Sequence, residues 1–147
     1  MSEVKQTEAL RLKGKDAEDL QVISAVLQDA IAPVCDMAYL PEDKQFVMVV
    51  HRLRREPKEE KLLERICCAV NIRGVTRAQL QNIDLAKRSR MLDLLAVMPE
   101  DKTATIVFAG DAKVKLHLED WSVVVEDFGS PWPAQCNPCH DSALQAG

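Results

Sequence analysis

The sequence predicts an α+β domain: a mostly antiparallel, strongly curled sheet or partial barrel of seven to eight strands, with one N-terminal helix packed on it. Three observations predict it. Apolar residues recur with a period of two over most of the chain, the helical period of three to four holds in one early stretch only, and turn-forming residues cut the alternating runs into hairpin-length pieces.

The first run, Ala9-Leu10-Arg11-Leu12-Lys13, alternates and stops at Gly14, as a short strand does. Asp16 then offers a carboxylate to the unpaired N–H groups of a helix start, and Glu18 and Asp19 add negative charge at the positive end of the helix dipole. Leu20, Ile23, Leu27 and Ile31 follow at spacings of three and four, which gives one apolar stripe. Pro33 is expected to end this helix, because its ring disfavours helical geometry at Ala32. From Val34 to Leu40 the period is two, and Pro41-Glu42-Asp43-Lys44 makes a turn. In the strand Gln45–Leu53, Phe46, Met48 and Val50 share one face, while Val47, Val49, His51 and Leu53 share the other. Apolar residues on both faces imply a central strand.

Residues 56–61, Glu-Pro-Lys-Glu-Glu-Lys, read as a charged loop. Between Leu63 and Arg73, Ile66, Cys68, Val70 and Ile72 point inward and Arg65, Cys67, Asn71 and Arg73 outward, with Gly74 as the expected end. Val75–Arg90 fits either a short helix or an excursion. Met91–Met98 reads as a strand, because Pro99-Glu100-Asp101-Lys102 then turns into the strand Thr103–Ala109. Gly110-Asp111 makes a second tight hairpin into a strand with Val114, Leu116 and Leu118 inward and Lys113, Lys115 and His117 on a wet face. Trp121–Glu126 is a last strand or a helical turn. A chain of 147 residues is one domain by size. That domain is placed at residues 9–129, between a tail at 1–8 and an irregular tail at 130–147.

At 47% hydrophobic and 29% charged residues the composition is that of a globular protein, not a disordered one. The polar N-terminus lacks the apolar stretch of a secretory signal, and no apolar run nears the ~20 residues of a membrane span. A cytoplasmic protein with reduced thiols and no membrane contact is expected; the odd count of five cysteines agrees. The formal charge of −4 is uneven. Eleven Lys/Arg and five Asp/Glu between His51 and Arg90 leave that stretch at +6, against −10 for the rest.

Cys136-Asn137-Pro138-Cys139-His140 fits the pattern for covalent haem attachment, but it lies in the expected tail with no apolar pocket around it. As a zinc half-site, Cys136, Cys139 and His140 lack a second ligand pair, since Cys35, His51 and His117 stand alone in the sequence. No cofactor is therefore expected. No nucleophile elbow, phosphate-cradling glycine loop or Cys/His pair stands out. Paired acids such as Asp16/Asp19 and Glu100/Asp101 fall at helix starts and turns, where capping and solvation explain them. Two basic stretches remain, and Arg52, Arg54, Arg55, Lys87, Arg88 and Arg90 form a candidate anion-binding patch at converging strand ends. With aromatic residues at 4% there is little to stack on bases, which argues against nucleic acid as the partner.

Several stretches together resemble a known family: Asp16–Leu20 running into Ser24–Ala30, Asp36–Pro41, Leu94–Val97, Val107–Gly110, and Asp127-Phe128-Gly129 followed by Trp132. They resemble domain-of-unknown-function family 2948, small uncharacterised proteins found chiefly in alphaproteobacteria. The likeness covers about residues 9 to 133 and departs from the family around Val75–Arg90 and in the Cys136–His140 tail. It implies a bacterial protein and brings no activity, substrate or site residue. The expectation is a non-catalytic interaction module that meets a protein or small-molecule partner, or a second copy of itself, through a sheet face or the basic rim. The rival is an enzyme with a pocket inside the curled sheet that retunes Asp36, His51 or Asp93. A third reading is a metal or haem protein acting through Cys136, Cys139 and His140.

Overall fold

The computed structural model describes residues 9–54 and 63–134. Along them run β1 (Arg11–Gly14), α1 (Ala17–Leu27), β2 (Ile31–Pro33), β3 (Met37–Leu40), β4 (Gln45–Arg54), β5 (Glu64–Gln81), β6 (Met91–Glu100), β7 (Thr103–Phe108) and β8 (Ala112–Pro133), with 3-10 turns at Val34–Asp36 and Pro41–Asp43. The expected α+β class and the curled antiparallel sheet are what the chain forms.

All these strands belong to one eight-stranded sheet, ordered β1-β8-β5-β4-β2-β6-β7, with β3 beside β4 and β7 returning to pair with β8. Every pairing is antiparallel. The path curls back on itself without making a clean barrel. Short β2 meets β4 at one residue pair, Ile31 with His51, and beyond it β4 and β6 part. There α1 covers the opening: Ser24 Oγ accepts the Val97 N–H of β6 at 2.8 Å. Leu20, Ile23 and Leu27 of the helix enter a core built from Met48, Val50, Val70, Leu94, Ile106, Phe108, Leu116 and Val125. Among the described residues no helix is long and apolar enough to cross a membrane.

Local chemistry explains where the elements begin and end. Asp16 caps α1 by accepting the Asp19 N–H at 2.8 Å, and the Asp19 carboxylate accepts the Lys15 N–H at 2.9 Å. These reciprocal bonds satisfy donors that a helix start leaves open. The helix stops at Leu27, before the last residue of its apolar stripe. Asp29 adopts φ 71°, and its N–H and the Ala30 carbonyl both bond Leu94 of β6, so the sheet takes over the backbone and Ile31 joins a strand. The expected strand from Val34 is likewise interrupted: the 3-10 turn Val34–Asp36 precedes β3, and the Val34 N–H bonds Arg90 O.

Gly74 does not end β5. It is a bulge, with φ +87° and its N–H, like that of Val75, on Lys44 O. Opposite it Asp120 adopts φ 50°, so β5 and β8 bend together and both continue. Val75–Gln81, expected as a helix or excursion, pairs with β8 as strand, and β8 is a single strand of 22 residues. It runs through Ser130–Pro133, where an irregular tail was expected, and Trp132 pairs with Arg65.

Candidate functional site

Two polar arrangements stand out, one inside the sheet and one on its outer side. The inner one centres on Asp127 of β8, which is buried at an inward position beside Val125 and Cys68. Arg52 of β4, also buried, grips it with two bonds: Nε donates to Oδ1 at 3.0 Å and an Nη2 hydrogen to Oδ2 at 2.7 Å. The Leu10 N–H donates to the same Oδ2 at 3.0 Å. Burial alone would push the Asp127 carboxyl up, but the hydrogen bonds from Arg52 and Leu10, with the Arg52 charge, hold it below the ordinary carboxylate value. Cys68 hydrogen-bonds the same carboxylate. Burial, reinforced by that negative charge and bond, pushes its thiol up to about 12, so the sulfur stays protonated and unreactive. The cluster staples β4, β5 and β8 to the residue before β1.

Arg52 is therefore an interior clamp and not part of a basic rim. Arg54 bonds Glu64 at 3.1 Å, Arg88 donates to Cys35 O at 3.2 Å and Arg90 to Asn82 O at 2.7 Å. Lys87 is exposed, and Arg55 lies outside the described residues. The register also keeps the two basic stretches apart. Ile31 of β2 pairs with His51 on one side and Asp93 on the other. From that row Arg52 and Arg54 continue toward Asp29, while Arg90 lies back toward Val34. Six residue steps separate Arg54 from Arg90 along the strands, roughly 20 Å, so the structure does not join them into one patch.

Of the three residues expected in an interior pocket, Asp36 and Asp93 are exposed, and His51 is buried on the outer side of β4. Its ring meets Trp132 edge to face, with centroids 5.4 Å apart and planes at 83°. Burial lowers the imidazole pKa, the Arg65 charge lowers it further, and Asp36 opposes both, so His51 favours the neutral form. Arg65 donates to the carbonyls of His51 and Asp29 at 3.0 and 3.1 Å. His51 and Cys67 are direct cross-strand partners on this side, a neighbourhood hidden in the sequence by the distance between them along the chain. Cys136, Cys139 and His140 lie outside the described residues.

The second arrangement is the outer face of β1, β8, β5, β4 and β3. Cross-strand register lines it up in rows. One row reads Lys13–Val124–Asn71–Val47–Ala38; the next reads Arg11–Glu126–Ala69–Val49. On a third, Ser122, Arg73 and Gln45 stand side by side. Short, half-buried, uncharged side chains fill the middle, and a shallow groove of about 390 Å³ opens between Arg11, Lys13, Arg73 and this strip. Arg11 lies 3.5 Å from Glu126 in an exposed pair, which contributes little to stability. Asn71 Oδ1 is shielded from solvent and accepts no hydrogen bond from the described residues. An uncharged strip with three cations and one acid along its groove can hold an apolar surface that carries acidic groups.

Fold and faces together define a class: a curled antiparallel sheet plugged by one helix, with an apolar interior, an internal ion-pair staple and one smooth outer face. The family can then be stated. The chain belongs to the family described as "Protein of unknown function (DUF2948)", whose model matches residues 10–140. The matched span includes Val75–Arg90 and reaches His140, the two stretches where the sequence was expected to depart from that family. No curated protein and no solved structure matches the chain.

Proposed function

We propose that this protein is a non-catalytic interaction module that takes its partner on the outer face of β1, β8, β5, β4 and β3. One observation carries the reading: Val124, Ala69, Val47, Val49 and Ala38 lie contiguous across strands, at positions where an antiparallel sheet with one wet face ordinarily presents polar residues. The flanking cations Arg11, Lys13 and Arg73 favour a partner with an acidic margin. An enzyme pocket inside the sheet fits less well, because Asp36 and Asp93 are exposed and the core cluster is apolar. The free thiols of Cys35 and Cys68 support a reducing, cytosolic setting.

The test is a side-chain footprint. Purified protein, labelled at trace concentration, is exposed to hydroxyl radicals and to a lysine-acylating reagent, once in buffer and once in extract of its own cells. Protection of Val47, Val124 and Lys13 in the extract, with Lys115 on the wet face unchanged, is the expected result. Equal labelling of all four positions in both settings ends the proposal.

A further inference from the structure

We propose that the groove on the outer face binds a small phosphate ester, its phosphate held between Arg73, Lys13 and Ser122. The inference goes beyond the docking reading: it uses the groove alone, and Val47 and Val49 lie outside it. The groove crosses three adjacent strands, β1, β8 and β5, and its charge is one-sided, with Arg11, Lys13 and Arg73 against a single carboxylate, Glu126. That carboxylate stands beside Arg11, at 3.5 Å. Lys13 and Arg73 make no ion pair with any described residue, the acids Glu119 and Asp120 at the bulge included. Two positive charges near one end of the groove are therefore left for a ligand.

The register shows how donors converge there. Ser122 and Arg73 are direct cross-strand partners, and Lys13 pairs with Val124, the next residue of β8 on the same face. Direct partners lie about 5 Å apart and diagonal ones about 7–8 Å, within reach of an extended lysine or arginine. The Ser122 hydroxyl makes no hydrogen bond with the described residues and can donate. Asn71 meets Val124 from the other side. Its Oδ1 is the shielded atom, so the planar amide turns Nδ2 the opposite way, toward the groove, as a fourth donor. Donors arriving from three strands match a phosphate, whose terminal oxygens accept from several directions, better than a carboxylate with two oxygens in one plane. From Ser122 the groove runs to Glu126, four residues along β8 and about 13 Å. Val124 and Ala69 floor its middle, and the Arg11–Glu126 pair closes the far end. One phosphate and a flat apolar body fit this order, whereas a second anionic group would meet Glu126. The volume of about 390 Å³ is that of a small-molecule site.

Phenyl phosphate carries both parts. It is titrated into the isotope-labelled full chain and followed by amide and methyl NMR, beside inorganic phosphate, benzoate and phenol. Saturable shifts at Ser122, Arg73, Lys13 and Val124 are expected, with a dissociation constant on the order of 1 mM or tighter. Inorganic phosphate and benzoate should bind more weakly, and phenol should leave these signals in place. Arg73→Gln and Ser122→Ala should each weaken phenyl phosphate about ten-fold, the cost of one charge-assisted hydrogen bond. Lys115→Gln, on the wet face, should leave its affinity unchanged. Shifts that stay linear up to ~20 mM overturn the proposal. So does benzoate binding as tightly as phenyl phosphate, or an affinity indifferent to both Arg73→Gln and Ser122→Ala. The extract footprint is read at Val47 as well, outside the groove, so the docking reading and the phosphate site stand or fall separately.

Discussion

At the residue scale the most consequential group is Asp127. It is a carboxylate buried at an inward position, made tolerable by three hydrogen bonds from Arg52 and the Leu10 N–H and a further one from the Cys68 thiol. Asp127→Ala leaves a buried guanidinium uncompensated and should cost about 3–5 kcal/mol in urea unfolding. Replacing both partners, Arg52→Met with Asp127→Leu, should recover most of that loss, leaving the roughly 1–3 kcal/mol of the orphaned Leu10 N–H. If the double variant is as unstable as the single one, the pair is not an isolated clamp. The carboxyl is held below its ordinary 3.8, so its share of stability is complete above that pH and is lost as pH falls through the lowered folded value. Asp127→Asn should therefore flatten the acid limb of a stability-against-pH curve. Half of this was legible in the sequence. Strand parity puts Arg52 in line with Met48 and Val50, and Asp127 in line with Val123 and Val125, so a charge falls at an inward position in each. Their pairing was not legible, because two partners 75 residues apart leave no mark on local spacing.

At the element scale, alternation named the inward residues of the first half of β5 and the first half of β8 correctly and grouped the two faces of β4, and errors gathered at boundaries. The physical reason is common to them: a boundary depends on which backbone groups find partners, and side-chain period does not record that. Asp29 turns left-handed to hand the helix end to β6, and Gly74 lets two strands bend where one was expected to stop. The repeated Pro-Glu-Asp-Lys shows local chemistry succeeding: in both copies the lysine, Lys44 and Lys102, adopts positive φ at 51° and 61° before an apolar strand. Gly74 is the sharpest test at this scale. A Cβ there would lie 2.6 Å from Glu119 O and 2.7 Å from Trp121 Cα, both backbone, in addition to the strain of φ +87°. Gly74→Ala should cost on the order of 2–4 kcal/mol, whereas Gly110→Ala, with φ +81° and open space around it, should cost only the roughly 1 kcal/mol of the left-handed backbone. Equal losses for the two in denaturant melts would remove the bulge from the account.

At the scale of the whole molecule, class and curvature follow from pattern, but strand order does not. Nothing local says that β1 pairs with β8, more than a hundred residues away, or that β2 stands between β4 and β6. The candidate face shares that limit: Lys13, Val124, Asn71 and Val47 become neighbours only when four strands from distant parts of the chain align. The same long-range pairing sets how the protein folds. The largest body of contact joins β5 to β8, and the staple at Asp127 closes only when Leu10, Arg52 and Cys68 have all arrived. Loop-closure entropy must be met before such contacts return free energy, which slows folding. Refolding from urea, followed by the fluorescence of Trp121 and Trp132, should take milliseconds to seconds. Asp127→Ala should mainly speed unfolding and leave the refolding rate within about three-fold, because a contact that needs four distant segments forms after the transition state. A refolding rate that falls in full proportion to the lost stability would place the staple in the nucleus instead, and folding would then begin at the meeting of the chain's two ends with its centre.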